Sequence, residues 1–270
     1  MEAEFIVYAD VIDIISEKSD NNRDVTFAVL VIKDKLQGAI NNDTIKVHFS
    51  TDIICPEPAK YSKGETVLAF LNRNYTGYYT HAKSYGSKPM GSSAFLVYKL
   101  RIHEMQSILK LENEEERKKQ TIDWLVKCAL NPVTRFEGVI ELSHTKTAGL
   151  PYPNQIKLES TRMFEIDDIQ RGKLREAFLS TYDLTNLDML LINLIEEPKD
   201  TEIIDFLIAR ITEKEIENAW QELFIYNKIA RLTEREDLIG IIEQMYSLYY
   251  SDEYTEEKAR KLLKGFKEKL

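Results

Sequence analysis

Residues 66–103 of this 270-residue chain contain Arg73, Lys83, Lys88, Lys99 and Arg101 and no Asp or Glu at all. Tyr75, Tyr78, Tyr79, Tyr85, Tyr98 and His81 stand among these cations. Cations interleaved with aromatic rings can track a phosphate backbone and stack bases, the chemistry by which OB-type grooves hold single strands. Arg73, Tyr75, Tyr79, Lys83, Tyr85 and Lys88 are therefore the candidate polyanion-binding residues. The competing reading is a Tyr-rich surface loop with solvated Lys and Arg, because such folds host many unrelated functions.

The other reactive side chains do not assemble into a site. His48, His81, His103 and His144 are dispersed, and the run His103-Glu104-Met105-Gln106-Ser107 lacks the second His of a zinc-protease motif. Two cysteines, Cys55 and Cys128, exclude a four-Cys zinc site and a disulfide scaffold. Cys128 follows Trp124 and Leu125 at helical spacing and reads as a small buried hydrophobe. A Cys55–Cys128 bridge would instead imply an oxidising compartment. Arg135 and Glu137, two apart on a helix, would point to different faces, so Arg135 is expected to anchor to a neighbouring element. No Gly-rich phosphate loop, G-x-S-x-G or Cys-x-x-Cys is present. No catalytic, cofactor-binding or metal-binding residue is named, no cofactor is expected, and the reading leans against an enzyme.

Composition sets the wider limits. With 36 Lys+Arg against 45 Asp+Glu the net charge is -9, which argues against whole-surface attraction to nucleic acid or anionic membranes. Hydrophobic residues at 43% suffice for a core, and the scarcity of Gly (10) and Pro (7) excludes collagen-like and low-complexity chains. The first residues carry acids and no positive n-region, so direct reading places the chain in the cytoplasm; the alternative is an exported mature chain with its signal removed. No run approaches 18 apolar residues, so no transmembrane segment is expected.

The elements that must position these residues change character near residue 105. Before it the period is two: strands are expected at 5–15, 25–33, 44–49, 66–71 and 94–102, with a loop over 72–93. Short strands with long loops suggest a small closed barrel. After it the period is 3.6, with helices over 112–130, 187–195, 203–211, from a capping box at Thr233–Glu236 to about 250, and over 255–269. Trp124 and Trp220 lie on apolar helical faces and are expected to be core or interdomain residues rather than binding anchors. Charge divides at the same place: residues 1–105 hold 12 Lys+Arg and 13 Asp+Glu, the remainder 24 and 32.

The stretches ADVIDIISEKSD, VTFAVLVIKDKLQG, TIKVHFSTDIICPEP and KGETVLAFL occur in an order that resembles the netrin-like module, the OB-type barrel also found in tissue inhibitors of metalloproteinases, and its bacterial members. The following TIDWLVKCALNPVTRFEGVIEL is similar to a segment that joins such barrels to helical regions. The resemblance implies an OB-type barrel. The N-terminal Cys through which the inhibitors ligate zinc has no counterpart, since residue 1 is Met and no Cys precedes Cys55. The expected fold class is α+β multidomain: an OB-type (netrin-like) β-barrel over 1–105 and an all-α, HEAT-like array over 106–270. The expected function is non-enzymatic binding or scaffolding with another protein as partner, the alternative being nucleic-acid or other polyanion binding through 66–103.

Overall fold

Period-two runs of β-branched and aromatic residues build the first half into a six-stranded sheet, and 3.6-period runs build the second half into helices, giving an α+β fold. The computed structural model describes residues 3–18, 24–49, 58–75, 77–143, 164–181, 184–197 and 199–270. Contacts divide the chain into two compact units, Met1–Arg117 and Lys118–Leu270.

In the first unit the strands are β1 (Phe5–Lys18), β2 (Asp24–Gln37), β3 (Thr44–Phe49), β4 (Thr66–Asn74), β5 (Gly77–Thr80) and β6 (Ser87–Pro89). They lie in the order β1-β2-β3-β5-β4-β6, and β1 also pairs with β4. All pairings are antiparallel except β3 with β5. One face buries Val7, Ala9, Val11, Ala28, Leu30, Val47, Val67, Ala69 and Leu71 as a core. The register of β1 shifts between Val11 and Asp13, so that Ile12 is an extra residue and Ile14, not Asp13, packs against that core.

Helix α1 (Ser92–Ile108) covers the other face. Phe95 stacks on Tyr8 with ring centroids 3.8 Å apart, Lys99 meets Asp34 at 2.5 Å, and Gln106 Nε2 donates to Leu36 O at 2.9 Å. This helix replaces the strand expected over 94–102. Its buried side chains, Phe95, Tyr98, Ile102, Met105 and Ile108, have helical spacing, but the intervening Leu96, Val97 and Leu100 blur that period into an apolar run. The expected loop over 72–93 contains β5, β6 and a 3-10 turn, Lys83–Gly86. Those strands are too short to show a period.

The helices that follow are α2 (Glu114–Leu130), α3 (Arg135–Ser143), α4 (Asp168–Leu179), α5 (Asn186–Ile195), α6 (Thr201–Glu213), α7 (Ala219–Thr233), α8 (Glu236–Tyr249) and α9 (Glu256–Lys267). Side-chain caps start several of them: Asp167 for α4, Asp200 for α6, Asn218 for α7 and Thr255 for α9. The cap expected at Thr233 is absent. Thr233 ends α7, its hydroxyl donating back to Ile229 O at 2.8 Å, and α8 starts after Arg235 without a side-chain cap. Helices α3, α5, α7 and α9 contact one another in series; α4 packs on α5, α6 on α7, and α8 on both α7 and α9. Their apolar faces share one core that includes Leu142, Phe178, Leu191, Leu207, Tyr226 and Phe266. Among the described residues no helix is long and apolar enough to cross a membrane.

Candidate functional site

The strand register decides which of the candidate polyanion-binding residues share a surface. On β4, Arg73 lies opposite Tyr78 of β5, while Asn72 lies opposite Tyr79. Directly opposed residues of an antiparallel pair project to the same side, and neighbours along a strand to opposite sides. Arg73 and Tyr78 therefore take the face of Leu71 and Ala69, and the guanidinium sits 5.5 Å from the Tyr78 ring centroid. Lys88 lies opposite Leu68, on the other face, with its ammonium 5.9 Å from the Tyr98 ring of α1. The two cations are thus on opposite faces and five β4 positions apart, roughly 17 Å along the strand. Tyr79 shares the face of Lys88 near the far end of β4, Tyr75 is 99% exposed just beyond β4, and Tyr85 stands exposed on the 3-10 turn. Lys83 belongs to that turn; its side chain lies outside the described residues. The remaining cations of the stretch have acidic neighbours within the same unit: Lys99 pairs with Asp34, and Arg101 with Glu104 at 2.8 Å. The backbone N–H of Arg73 donates to Glu4.

Behind this surface the short strands are pinned by a buried tyrosine. The Tyr61 hydroxyl lies 2.6 Å from Thr80 Oγ1, and Ser87 donates to Lys60 O at 3.0 Å. Burial pushes the Tyr61 phenol up to about 12, so it stays a neutral hydrogen-bonding group. His48 sits across from Phe27 on the face away from Val47, and His81 Nδ1 lies 3.1 Å from the Asn72 amide. No group of His, Cys, Asp and Glu among the described residues could hold a metal ion. Cys128 is buried; Cys55 and His144 lie outside the described residues, and the bridge considered for Cys55 lies there too.

The junction stretch 121–142 turns out to be an α-hairpin closed by its own side chains. Helix α2 ends with carbonyls that lack an intrahelical partner. Cys128 O receives the Thr134 hydroxyl at 3.1 Å, and Ala129 O receives Arg135 Nε at 3.2 Å. Arg135 also binds Asp188, which is 1% exposed and accepts the backbone N–H and hydroxyl of Thr185 at the start of α5, each at 2.7 Å. Arg135 is thus the anchor expected of it, fixing α2, α3 and α5 together. A similar device joins α4 to α6: Arg175 Nη2 reaches both Asp200 and Glu202 at 2.7 Å. The Arg175 hydrogen bond holds the Asp200 carboxyl below the usual carboxylate range.

Sequence reasoning missed two surfaces of the helical unit. The first is an open cleft of about 740 Å³ between the start of α5, the end of α6 and the start of α7. Its walls combine Ile211 and Arg210 of α6 and Glu222, Phe224 and Ile225 of α7 with Lys214 of the turn between them, none of which belongs to a motif. The second is a group of aromatic rings where α8 ends. Trp220 of α7 stacks on Tyr249 at 3.5 Å between centroids and 9° between planes, and Tyr250 and Tyr254 meet Tyr249 edge-on. Trp124 and Trp220 pack against the core while remaining partly exposed, so both fall short of full burial. A signal for the second surface was present in the sequence: residues 236–257 hold seven acids and no Lys or Arg. Comparison with protein-family models, with curated proteins and with solved structures finds no match to this chain.

Proposed function

We propose that this chain is a non-enzymatic binding or scaffolding protein that joins an OB-type, netrin-like barrel to a HEAT-like helical array and engages another protein through the array. For the barrel, the support is the pairing pattern: β1-β2-β3-β5-β4 returns to β1, with β3 and β5 parallel. Closure of that kind removes exposed edges from strands as apolar as these. For the array, the support is the series α3–α5–α7–α9 with α4, α6 and α8 packed along it. Stacked helix pairs of this kind present extended surfaces made of successive interhelical turns.

The observation that carries the functional reading is the cleft between α5, α6 and α7. It is open to solvent, sets the apolar Leu184, Ile211, Phe224 and Ile225 among a majority of polar side chains, and offers both signs of charge, as a polypeptide segment with mixed side chains requires. The test places a photo-crosslinking residue at Gln221 and identifies what it captures from a native extract. A single protein should be captured, and a Gln221→Trp substitution, which puts a bulky ring into the cleft, should abolish its co-purification with the otherwise unmodified chain. Capture of no protein, or co-purification of the captured protein that survives Gln221→Trp, would end the reading.

A further inference from the structure

The rings at the end of α8 form a rigid, partly exposed platform. Tyr249 is clamped by stacking on Trp220, while Tyr250 is 63% exposed. The platform is held from behind: the Tyr254 hydroxyl donates to Glu256 Oε2 at 2.9 Å, and Glu256 Oε1 accepts the Ala219 N–H at 2.7 Å. One carboxylate therefore locks the first turn of α7, the α8–α9 turn and the start of α9 together. Preordered tyrosines present a large contact area with little side-chain entropy left to lose on binding, which is why they anchor interfaces.

Acids outnumber cations beside the platform: Asp252, Glu253, Glu256 and Glu257 follow it along the chain, with Lys258 paired to Glu253 at 3.2 Å and Arg260 to Glu256 at 3.3 Å. Asp252 and Glu253 follow Tyr250 after Ser251 and are exposed; Asp252 has no ion-pair partner among the described residues, and the Lys258 that meets Glu253 is itself well exposed. The faces of tyrosine rings attract cations through the ring quadrupole, and the methylenes of Lys or Arg can lie along them while the charged head reaches a carboxylate.

We propose that the Tyr249–Tyr250 face, rimmed by Asp252 and Glu253, is a docking surface for a lysine- or arginine-bearing segment of a partner protein. The proposal rests on the protein-binding reading above but uses a different surface. Trp220, Tyr249, Tyr250, Asp252 and Glu253 are not among the residues that line the cleft.

The probe is an oligolysine peptide titrated into the isotopically labelled full chain near physiological ionic strength, with oligoglutamate as control. The indole N–H signal of Trp220, assigned by its loss in Trp220→Phe, should move with oligolysine and stay still with oligoglutamate. Tyr250→Ala leaves the net charge unchanged and should weaken binding about two- to fivefold, with Tyr250→Phe restoring it. Asp252→Lys combined with Glu253→Lys should weaken it more than tenfold. An unmoved Trp220 signal overturns the proposal, and so does a Tyr250→Ala chain that binds as tightly as wild type, since generic acidity would then be the cause. A wild-type chain that sediments as a dimer and becomes monomeric on Tyr250→Ala overturns it as well, assigning the face to a second copy. Because Gln221 lines the cleft and Tyr250, Asp252 and Glu253 do not, failure here leaves the cleft result standing on its own.

Discussion

A methyl group at position 138 has nowhere to go. A Cβ built on Gly138 would lie 2.3 Å from the Ala129 nitrogen and 2.5 Å from Leu125 O, both backbone atoms of the facing helix. The tight α2–α3 hairpin thus depends on the missing side chain. Gly138→Ala should force the two helices apart and cost about 1–3 kcal/mol in chemical denaturation, the usual range for overpacking; an unchanged midpoint would show that the helices can separate freely. Arg135 makes a second demand at this scale. Removing its guanidinium strands Asp188, 1% exposed, without its counter-ion. Arg135→Ala should therefore cost about 3–5 kcal/mol, far above an exposed pair of the same type. Equal losses from Arg135→Ala and from Lys258→Ala, whose pair is exposed, would contradict that account.

Between elements, hydrogen-bonded ion pairs supplement the apolar core, and they make the α4–α6 contact sensitive to acid. The Arg175 hydrogen bond lowers the Asp200 carboxyl from its ordinary 3.8. A depressed folded-state value means that the stabilisation is fully present above the unfolded-state value and is lost as pH falls through the folded one. Wild type should therefore exceed Asp200→Asn in stability at neutral pH, and the gap should narrow only below about pH 4. Urea midpoints for both proteins across an acid series test this; a gap that closes between pH 5 and 7 would point to a different group. Asp200 also caps α6 by accepting the Ile203 N–H at 3.2 Å; an Asn side-chain oxygen can still cap, so this contribution is retained in the variant and the gap reports the ion pair.

At the scale of the whole molecule, each compact unit has its own hydrophobic cluster. A unit with its own core is expected to fold alone. A fragment of residues 112–270, which retains the Asn113 side chain bonded to the Glu116 N–H at the start of α2, should show helical circular dichroism and a cooperative melt. A featureless melt would mean that the helices depend on the preceding residues. The net charge of -9, together with Arg73 and Lys88 on opposite sheet faces, leads to one more expectation. The full chain should show no salt-dependent binding to single-stranded DNA or heparin near physiological ionic strength. Measurable binding that weakens with salt and with Arg73→Glu would show that the cations act together after all.

The two classes of element were legible from local pattern, because the β-branched and aromatic runs of β1, β2 and β4, the alternation in β3 and the 3.6-residue repeats of α5 and α6 each mark buried residues. Arg135 was legible too: no partner within reach on its own helix meant a partner elsewhere. Beyond that, local pattern lost its authority. The run 94–102 became a helix because Phe95 and Tyr98 found the outer face of the sheet, a contact with Tyr8 and Lys88 from distant parts of the chain. The six candidate cations and tyrosines were neighbours in sequence. A strand, however, sends adjacent side chains to opposite sides, so only the β4 pairings could say which of them meet. The cleft and the tyrosine platform come from turns and helix ends that touch only after packing. Composition records which residues are present near such a surface. Their convergence depends on helix-to-helix packing, which has no short-range signature.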